Sequence, residues 1–298
     1  MWASEMAGGC GIQSWRTNSR IIHATSTDGV HFERKELVFE AFAHEPTGEW
    51  VMWYTGADEA APPPPPCTQC ADGNTFANAS CPTPANVSSL LPTYLTWSKS
   101  PDGPWTKPAR LFKAQENLTN VDTNLAATIR PDGSVVGIGR TIGDPTLVVA
   151  HLVEASDWRE PESYVGAWDE MLFPDTRLLP YAGVEDPFVY ADARGSLHAV
   201  FHSQIQDNDE RLCGAHAWSI DGKNWTFGGT AWSNRVPFVA AGGVELYRFS
   251  RRERPHFVFD ADGSIVALTT GVRYSAHSPA QPDGEDACYT LLQPVRTA

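Results

Sequence analysis

The feature that most constrains this chain is a hairpin pattern that occurs three times, in residues 122–140, 185–202 and 253–270. Each copy begins with an acidic residue, continues with an apolar run and reverses at an Asp-Gly or Arg-Gly turn before a second apolar run. Asp-Gly between β-branched and aromatic residues is typical of a β-hairpin. The sequence therefore predicts an all-β protein built from antiparallel strands.

A second motif follows the first hairpin and consists of a Ser, a turn and an aromatic residue. It occurs in residues 24–32, 97–105 and 218–225, with a looser copy in 155–158. The serines of these four copies are 72, 58 and 63 residues apart. Two hairpins per unit give four-stranded antiparallel blades, so the repeat predicts a five-bladed β-propeller with an incomplete first blade. The alternative is a β-sandwich, which gives no reason for this ordered pairing.

We expect a single propeller domain over residues 1–298, with a Pro- and Cys-rich loop inserted at about residues 58–89. Five consecutive prolines in this stretch favour a polyproline II segment, which does not pair as a strand. The copy at 43–55 passes to its turn without a first strand, and residues before 20 leave room only for the tail of a blade. We therefore expect that the chain lacks its true beginning.

Charge and composition narrow the classes of partner. The chain has 36 Asp and Glu against 22 Lys and Arg, a formal net charge of −14. Such a surface repels nucleic acid and anionic lipid, and no apolar run reaches the roughly 20 residues of a membrane helix. Neutral ligands such as sugars are favoured, and we expect a monomer. Gly-rich phosphate loops, His-Glu-x-x-His and Gly-x-Ser-x-Gly do not occur, and we expect no cofactor.

The cysteines and the glycosylation acceptors favour a secreted protein. The chain has six cysteines and four Asn-x-Ser/Thr sequons, at Asn78, Asn86, Asn117 and Asn224. An even cysteine count with sequons is typical of an oxidising secretory environment, although no signal peptide precedes residue 20. Disulfides are expected, with their connectivity open among 15 arrangements.

Candidate site residues follow from the repeat, because the inner strands of a propeller begin near its axis. The openings of the repeats are acidic and polar: His44 and Glu45, Asp122 and Asn124, Glu185 and Asp186, and Glu253, Arg254 and His256. Arg140, His202 and His216 lie on adjoining strands and are candidates for substrate binding. Three structural alternatives stay open: that Asp186 begins a turn before Pro187, that Glu253 only pairs with a neighbouring arginine, and that His202 and His216 serve the fold.

Three segments, residues 19–26, 183–190 and 253–260, resemble the five-bladed propeller glycoside hydrolases of the arabinanase, levansucrase and invertase group, near glycoside hydrolase family 43. The resemblance implies Glu185 as general acid, with Asp186 as its rival, and Asp122 as the carboxylate that tunes its pKa. It places the base on the opening strand of the first blade, which this chain lacks. It also implies a structural calcium ion on the axis, with His202 as an indirect ligand.

The resemblance predicts hydrolysis of a plant or algal saccharide of the arabinan or xylan type, with a pKa of Glu185 raised by neighbouring carboxylates. Two alternatives stay open. A propeller that has lost its base would bind carbohydrate or protein without cleaving it. A transferase or phosphorylase would need cations for phosphate, and Arg251, Arg252 and Arg254 are the only candidates.

Overall fold

In a computed structural model the protein consists of antiparallel β-sheets. The structure describes residues 2–6, 19–28, 31–37, 42–43, 48–56, 92–115, 121–142, 148–168, 170, 172–173, 184–203, 214–240, 242–249, 251–273 and 288–295. The chain divides into two compact units, Met1–Ala114 with Pro282–Asp286 and Gln115–Gln281 with Ala287–Ala298. The inserted loop and five of the six cysteines lie outside the described residues, so the loop, the disulfides and the single-domain organisation stay predictions.

The first unit has two antiparallel sheets. A three-stranded sheet contains β1 (Trp2–Met6), β2 (Ser19–Thr25) and β3 (Glu33–Leu37), in that order. A four-stranded sheet contains β4 (Phe42–Ala43), β5 (Trp50–Thr55), β6 (Thr93–Ser98) and β7 (Ala109–Arg110). A 3₁₀ turn over Lys113–Gln115 follows at the boundary with the second unit.

The second unit carries the three hairpin copies found in the sequence. One four-stranded sheet contains β8 (Val121–Ile129), β9 (Val135–Ile142), β10 (Val148–Ala155) and β11 (Val165–Gly166), and Pro161–Ser163 forms a 3₁₀ turn. The next contains β12 (Val184–Ala191), β13 (Leu197–Ser203), β14 (Gly214–Ser219) and β15 (Trp225–Trp232). A two-stranded sheet of β16 (Arg235–Ala240) and β17 (Gly243–Arg248) precedes a three-stranded sheet of β18 (Arg251–Phe259), β19 (Ile265–Arg273) and β20 (Cys288–Pro294).

The turns of the three hairpins share one backbone conformation. Gly133, Gly195 and Gly263 have φ angles of 85°, 81° and 78°, a left-handed region that glycine enters without steric cost. The amide of each glycine donates to the carbonyl of the residue three positions earlier. The prediction of three hairpins is confirmed, because β8–β9, β12–β13 and β18–β19 meet at these turns.

The second motif also lies where the repeat predicts it, after the third strand of each four-stranded sheet. The Ser219 hydroxyl accepts a hydrogen bond from the Gly222 amide at 2.9 Å, and Gly222 has a φ of 84°. This turn joins β14 to β15, and the copy at 97–105 lies between β6 and β7. Among the described residues no helix is long and apolar enough to cross a bilayer.

The core of the second unit lies on both faces of the β12–β15 sheet. Ala199, Val200 and Phe201 of β13 are buried in succession, as expected for a strand that is covered on both sides. Phe201 packs in a cluster with Ile138 of β9, whereas Val200 packs with Leu268 of β19. The β12–β15 sheet is therefore held between the sheet of β9 and the sheet of β19.

We expect Phe201→Ala to lower the free energy of unfolding by about 3–5 kcal/mol, because it leaves a cavity where the ring is fully buried. Urea unfolding followed by tryptophan fluorescence measures the change. Phe238→Ala is the matched control, since Phe238 is exposed and should cost less than half as much. Equal losses in the two variants would contradict the assignment of this core.

Candidate functional site

Two hairpins present a glutamate at equivalent positions, each followed two residues later by a proline. Glu185 precedes Pro187 in β12, and Glu253 precedes Pro255 in β18. Proline has no amide hydrogen, so it interrupts the ladder, and the register shifts after both glutamates. The intervening Asp186 and Arg254 have φ angles of 49° and 57°. Such strain in non-glycine residues occurs preferentially at functional sites.

The two glutamates meet at a partly buried histidine. His202 lies opposite Glu185 in the register of β12 and β13. Its Nδ1 atom is 3.6 Å from Glu185 Oε2 and 3.8 Å from Glu253 Oε2. One donor atom from each of the three side chains lies within 4.8 Å of the other two. We call these three residues the Glu–His–Glu cluster.

Arg140 of β9 binds the first glutamate of this cluster. Its Nη1 atom is 2.6 Å from Glu185 Oε1, and its side chain is only 8% exposed. A charged hydrogen bond of this length is strong, and a buried guanidinium requires such a partner. The sequence predicts that Arg140 binds substrate hydroxyls. In the structure Arg140 binds Glu185, and its role in substrate binding stays a prediction.

Asp186 brings two further predicted residues to the cluster. Asn124 Nδ2 donates to Asp186 Oδ1 at 3.1 Å, and Arg254 Nε lies 3.7 Å from Asp186 Oδ2. The carboxylate is nearly buried, with a side chain 11% exposed. Asn124, Asp186 and Arg254 therefore belong to one contact network, although they come from three different strands.

Two groups of the cluster, Glu253 and His202, have raised pKa values. Burial, assisted by the negative charge of Asp186, raises the pKa of the Glu253 carboxyl. Burial opposes protonation of His202, but the Glu185 carboxylate and the charges of Glu253 and Asp186 outweigh it and raise the pKa of the imidazole. Two groups of the cluster thus keep protons to higher pH than they would in water.

Several predicted residues lie elsewhere or outside the described residues. Asp122 lies in β8 directly opposite Arg140 in the strand register. His216 lies beside His198, with 3.0 Å between His198 Nδ1 and His216 Nε2, and burial lowers its pKa. His216 is thus engaged with His198 and has no contact with the cluster among the described interactions. His44 and Glu45 lie outside the described residues, so their roles stay predictions.

His256 is placed in an aromatic contact. Its ring lies 4.7 Å from the Phe188 ring, and burial lowers the pKa of the imidazole to about 4. The contact packs β18 against β12, and β18 shifts register between Glu253 and His256. Binding of substrate by His256 stays a prediction.

The calcium ion that the resemblance implies can be tested against the donors of the cluster. Calcium takes six to eight oxygen ligands. The cluster offers one imidazole nitrogen and two carboxylates, which already face Arg140 at 2.6 Å and Arg251 at 3.9 Å. These residues do not fit a calcium site.

Sequence reasoning left one contact around these residues open and missed another. The sequence allows Glu253 to pair with a neighbouring arginine, and in the structure Arg251 Nη1 lies 3.9 Å from Glu253 Oε2. The two residues are two positions apart on one strand, where side chains share a face. The contact of His198 with His216 crosses β13 and β14 and required the hairpin register.

This chain is similar in structure to several solved proteins. No protein-family model matches the sequence, and no curated protein matches it. A xylan beta-1,4-xylosidase from Bacillus halodurans has a TM-score of 0.58 at 14% identity, covering 100% of this chain and 51% of that chain. An endo-arabinase from Bacteroides thetaiotaomicron has a TM-score of 0.54 at 13% identity, covering 94% and 87%.

A mutant of a GH43 protein from Bacillus licheniformis has a TM-score of 0.55 at 13% identity, covering 100% of this chain and 50% of that chain. The chain thus spans about half the length of the xylosidase and of this GH43 protein. At such identities the likeness shows the fold. The predicted resemblance to the GH43 propeller hydrolases is confirmed at that level, and the number of five blades stays a prediction.

We expect His256→Phe to make the protein less sensitive to acid. The folded pKa of about 4 lies below the usual 6.5, so the unfolded chain binds a proton that the folded protein rejects. This contribution to stability is present above pH 6.5 and is lost as pH falls to about 4, a loss of roughly 3 kcal/mol. Urea unfolding between pH 7 and pH 4 measures it. Parallel losses in the wild type and the variant would contradict the assignment.

Proposed function

We propose that this chain hydrolyses glycosidic bonds in a plant or algal saccharide of the arabinan or xylan type. The observation that carries the proposal is the pair of Glu185 and Glu253, which begin equivalent hairpins and have oxygens within 4.8 Å of one another. Glycoside hydrolysis needs one carboxyl group that keeps its proton and another that stays ionised. The fold supports the proposal, because a xylosidase and an endo-arabinase share it.

In this proposal Glu253 protonates the leaving oxygen. Burial and the charge of Asp186 raise its pKa, which is the condition for a general acid near neutral pH. The family resemblance gives this role to Glu185, which remains the rival donor. The ion pair of Glu185 with Arg140 favours Glu253 as the proton donor, since a neighbouring guanidinium stabilises the carboxylate form of Glu185.

Glu185 then serves as the fixed negative charge of the site. The transition state of glycoside cleavage has positive charge on the sugar ring, and an ionised carboxylate beside that ring stabilises it. Arg140 donates to Glu185 Oε1 at 2.6 Å, and His202 Nδ1 lies 3.6 Å from Glu185 Oε2. This arrangement keeps the carboxylate oriented before the substrate arrives.

The retaining alternative, in which Glu185 attacks the sugar directly, stays open, since carboxyl groups about 5–5.5 Å apart are typical of retaining enzymes. In an inverting mechanism the base that activates water is a third carboxyl group. The acid and base of inverting enzymes are about 6.5–9.5 Å apart so that a water molecule fits between substrate and base. The oxygens of Glu185 and Glu253 are closer than this, within 4.8 Å. Asp122 and Glu45 are the candidates from the sequence, and Asp186, held by Asn124, is the candidate within the contact network.

We expect Glu253→Gln to slow hydrolysis more for a substrate with a poor leaving group than for one with a good leaving group. A glycoside with a poor leaving group should lose about a hundredfold or more in kcat/KM, because it needs the proton, whereas a dinitrophenyl glycoside should lose less than about tenfold. Glu185→Gln should slow both substrates to a similar degree. Release of the phenol and of the sugar measures these rates on arabinosides and xylosides.

Glu245→Gln is the matched control, because Glu245 is an exposed glutamate of β17, and its rates should equal those of the wild type. Dependence on the leaving group in Glu185→Gln instead of Glu253→Gln would return the donor role to Glu185. Saccharide binding by the folded wild type without any product would contradict the hydrolase and support the non-catalytic alternative.

A further inference from the structure

The first strands of the three hairpins share an irregularity. In each strand the register against its partner shifts just after the opening acidic residue, over residues 122–126 in β8, 185–188 in β12 and 253–256 in β18. Such interruptions turn side chains away from the alternation of a regular strand. One residue of each interrupted stretch belongs to a single set of contacts: Asn124, Asp186 and Arg254. The three interruptions thus converge on the Asp186 carboxylate.

The Asp186 carboxylate has a partner at each of its two oxygens. Asn124 Nδ2 donates to Oδ1 at 3.1 Å, and Arg254 Nε lies 3.7 Å from Oδ2. β12 lies beside β8 and β18, so the two groups reach Asp186 from different strands. The terminal torsion of an aspartate is broad, so its partners set the plane of the carboxylate. Of these two contacts, only that of Asn124 has the length of a hydrogen bond.

Asn124 is oriented toward Asp186 before any ligand arrives. Among the described hydrogen bonds, its side chain makes one, the bond to Asp186. The residue is half-buried in β8. A half-buried amide gives up hydrogen bonds with water, and a bond to a carboxylate, which is stronger than one to a neutral acceptor, replaces them.

The negative charge of Asp186 acts on the candidate acid. Burial raises the pKa of Glu253, and the charge of Asp186 raises it further. The charged groups around Glu253 are Glu185 and Asp186 of β12, His202 of β13, and Arg251 and Arg254 of its own strand. Glu185 is paired with Arg140 at 2.6 Å, which offsets its charge. The effect of Asp186 depends on its distance from Glu253, so a group that fixes the carboxylate also fixes that effect.

We infer that Asn124 is a positioning residue of the hydrolytic site, which holds the Asp186 carboxylate in a fixed position relative to Glu253 for proton transfer to the leaving oxygen. The inference rests on the proposed function and deepens it, since it names a residue that acts on the acid through Asp186. Asn124 touches no reacting atom in this role. An amide suits the role, because it donates a hydrogen bond without adding a charge that would cancel that of Asp186.

The test measures the pKa of Glu253 by carbon-13 NMR titration of the whole chain labelled at the glutamate carboxyl carbons, with Glu253→Gln identifying the signal. We expect Asn124→Ala to lower this pKa by about 0.5 or more, because the Asp186 carboxylate can then turn away from Glu253. Asp186→Asn should lower it at least as far. The double variant should match Asp186→Asn, since Asn124 acts through the charge of Asp186.

Hydrolysis gives a second readout of the same effect. The alkaline limb of the kcat/KM profile reports loss of the proton from the acid, so Asn124→Ala should move that limb to lower pH by the same amount. Asn124→Gln retains the amide and should recover part of the shift. A raised KM at every pH with the limb in place would overturn the inference, because Asn124 would then bind a substrate hydroxyl directly.

Asn224→Ala is the matched control. Asn224 is an exposed asparagine whose Nδ2 atom donates to Asp221 Oδ2 at 2.7 Å, in the turn between β14 and β15. The variant removes the same kind of hydrogen bond and should leave the pKa of Glu253 and the alkaline limb as in the wild type. Circular dichroism confirms that each variant is folded. Should Asn124→Ala not fold, Asn124→Leu provides the same comparison, because leucine keeps a similar branched shape without the donor.

An unchanged or higher pKa of Glu253 in the folded Asn124→Ala variant would overturn the inference, as would a shift in the double variant beyond that of Asp186→Asn alone. Failure of the proposed function has another signature: Asn124→Ala lowers the pKa of Glu253, but the wild-type chain cleaves no arabinoside or xyloside. That result would support the placement of Asp186 by Asn124 and contradict the hydrolase.

Discussion

The site depends on the ion pair between Arg140 and Glu185, which joins the sheet of β9 to the sheet of β12. A buried guanidinium is costly unless a carboxylate accepts its hydrogen bonds, so each partner requires the other. Burial, assisted by the charge of Asp186, raises the pKa of the second glutamate, Glu253. The two carboxyl groups of the cluster thus have different surroundings, and one contact of 2.6 Å fixes the first of them.

The interruptions in β12 and β18 coincide with the contacts that add Asp186 and Arg254 to the site. A proline two residues after each glutamate shifts the ladder, and the residue between adopts a left-handed conformation. Regular strands would send Asp186 and Arg254 to the faces opposite their glutamates. The interruption instead accompanies contacts of Asp186 with Asn124 and Arg254, so that groups from three strands lie together. The paired strands on either side of Asp186 and Arg254 stabilise these two strained residues.

The hairpins and the acidic residues could be predicted from the sequence because their signals are local. Asp-Gly and Arg-Gly turns fix the reversal of the chain, and the glutamates keep a constant distance from those turns. The contacts of Arg140 and His256 did not follow from a local pattern. Arg140 binds Glu185 of a different hairpin, and the His256 ring lies 4.7 Å from the Phe188 ring, so their roles in substrate binding stay predictions.

The sequence alone determined the kind of structure: antiparallel hairpins in ordered pairs, with an acidic residue at the start of several inner strands. These properties follow from turn chemistry and from the two-residue alternation of strands, which act over a few positions. Only the tertiary structure decided which carboxyl group is paired with a buried arginine, which carboxyl group has a raised pKa, and which arginines remain exposed. Those properties depend on burial and on distances between side chains of different sheets, which no local pattern encodes.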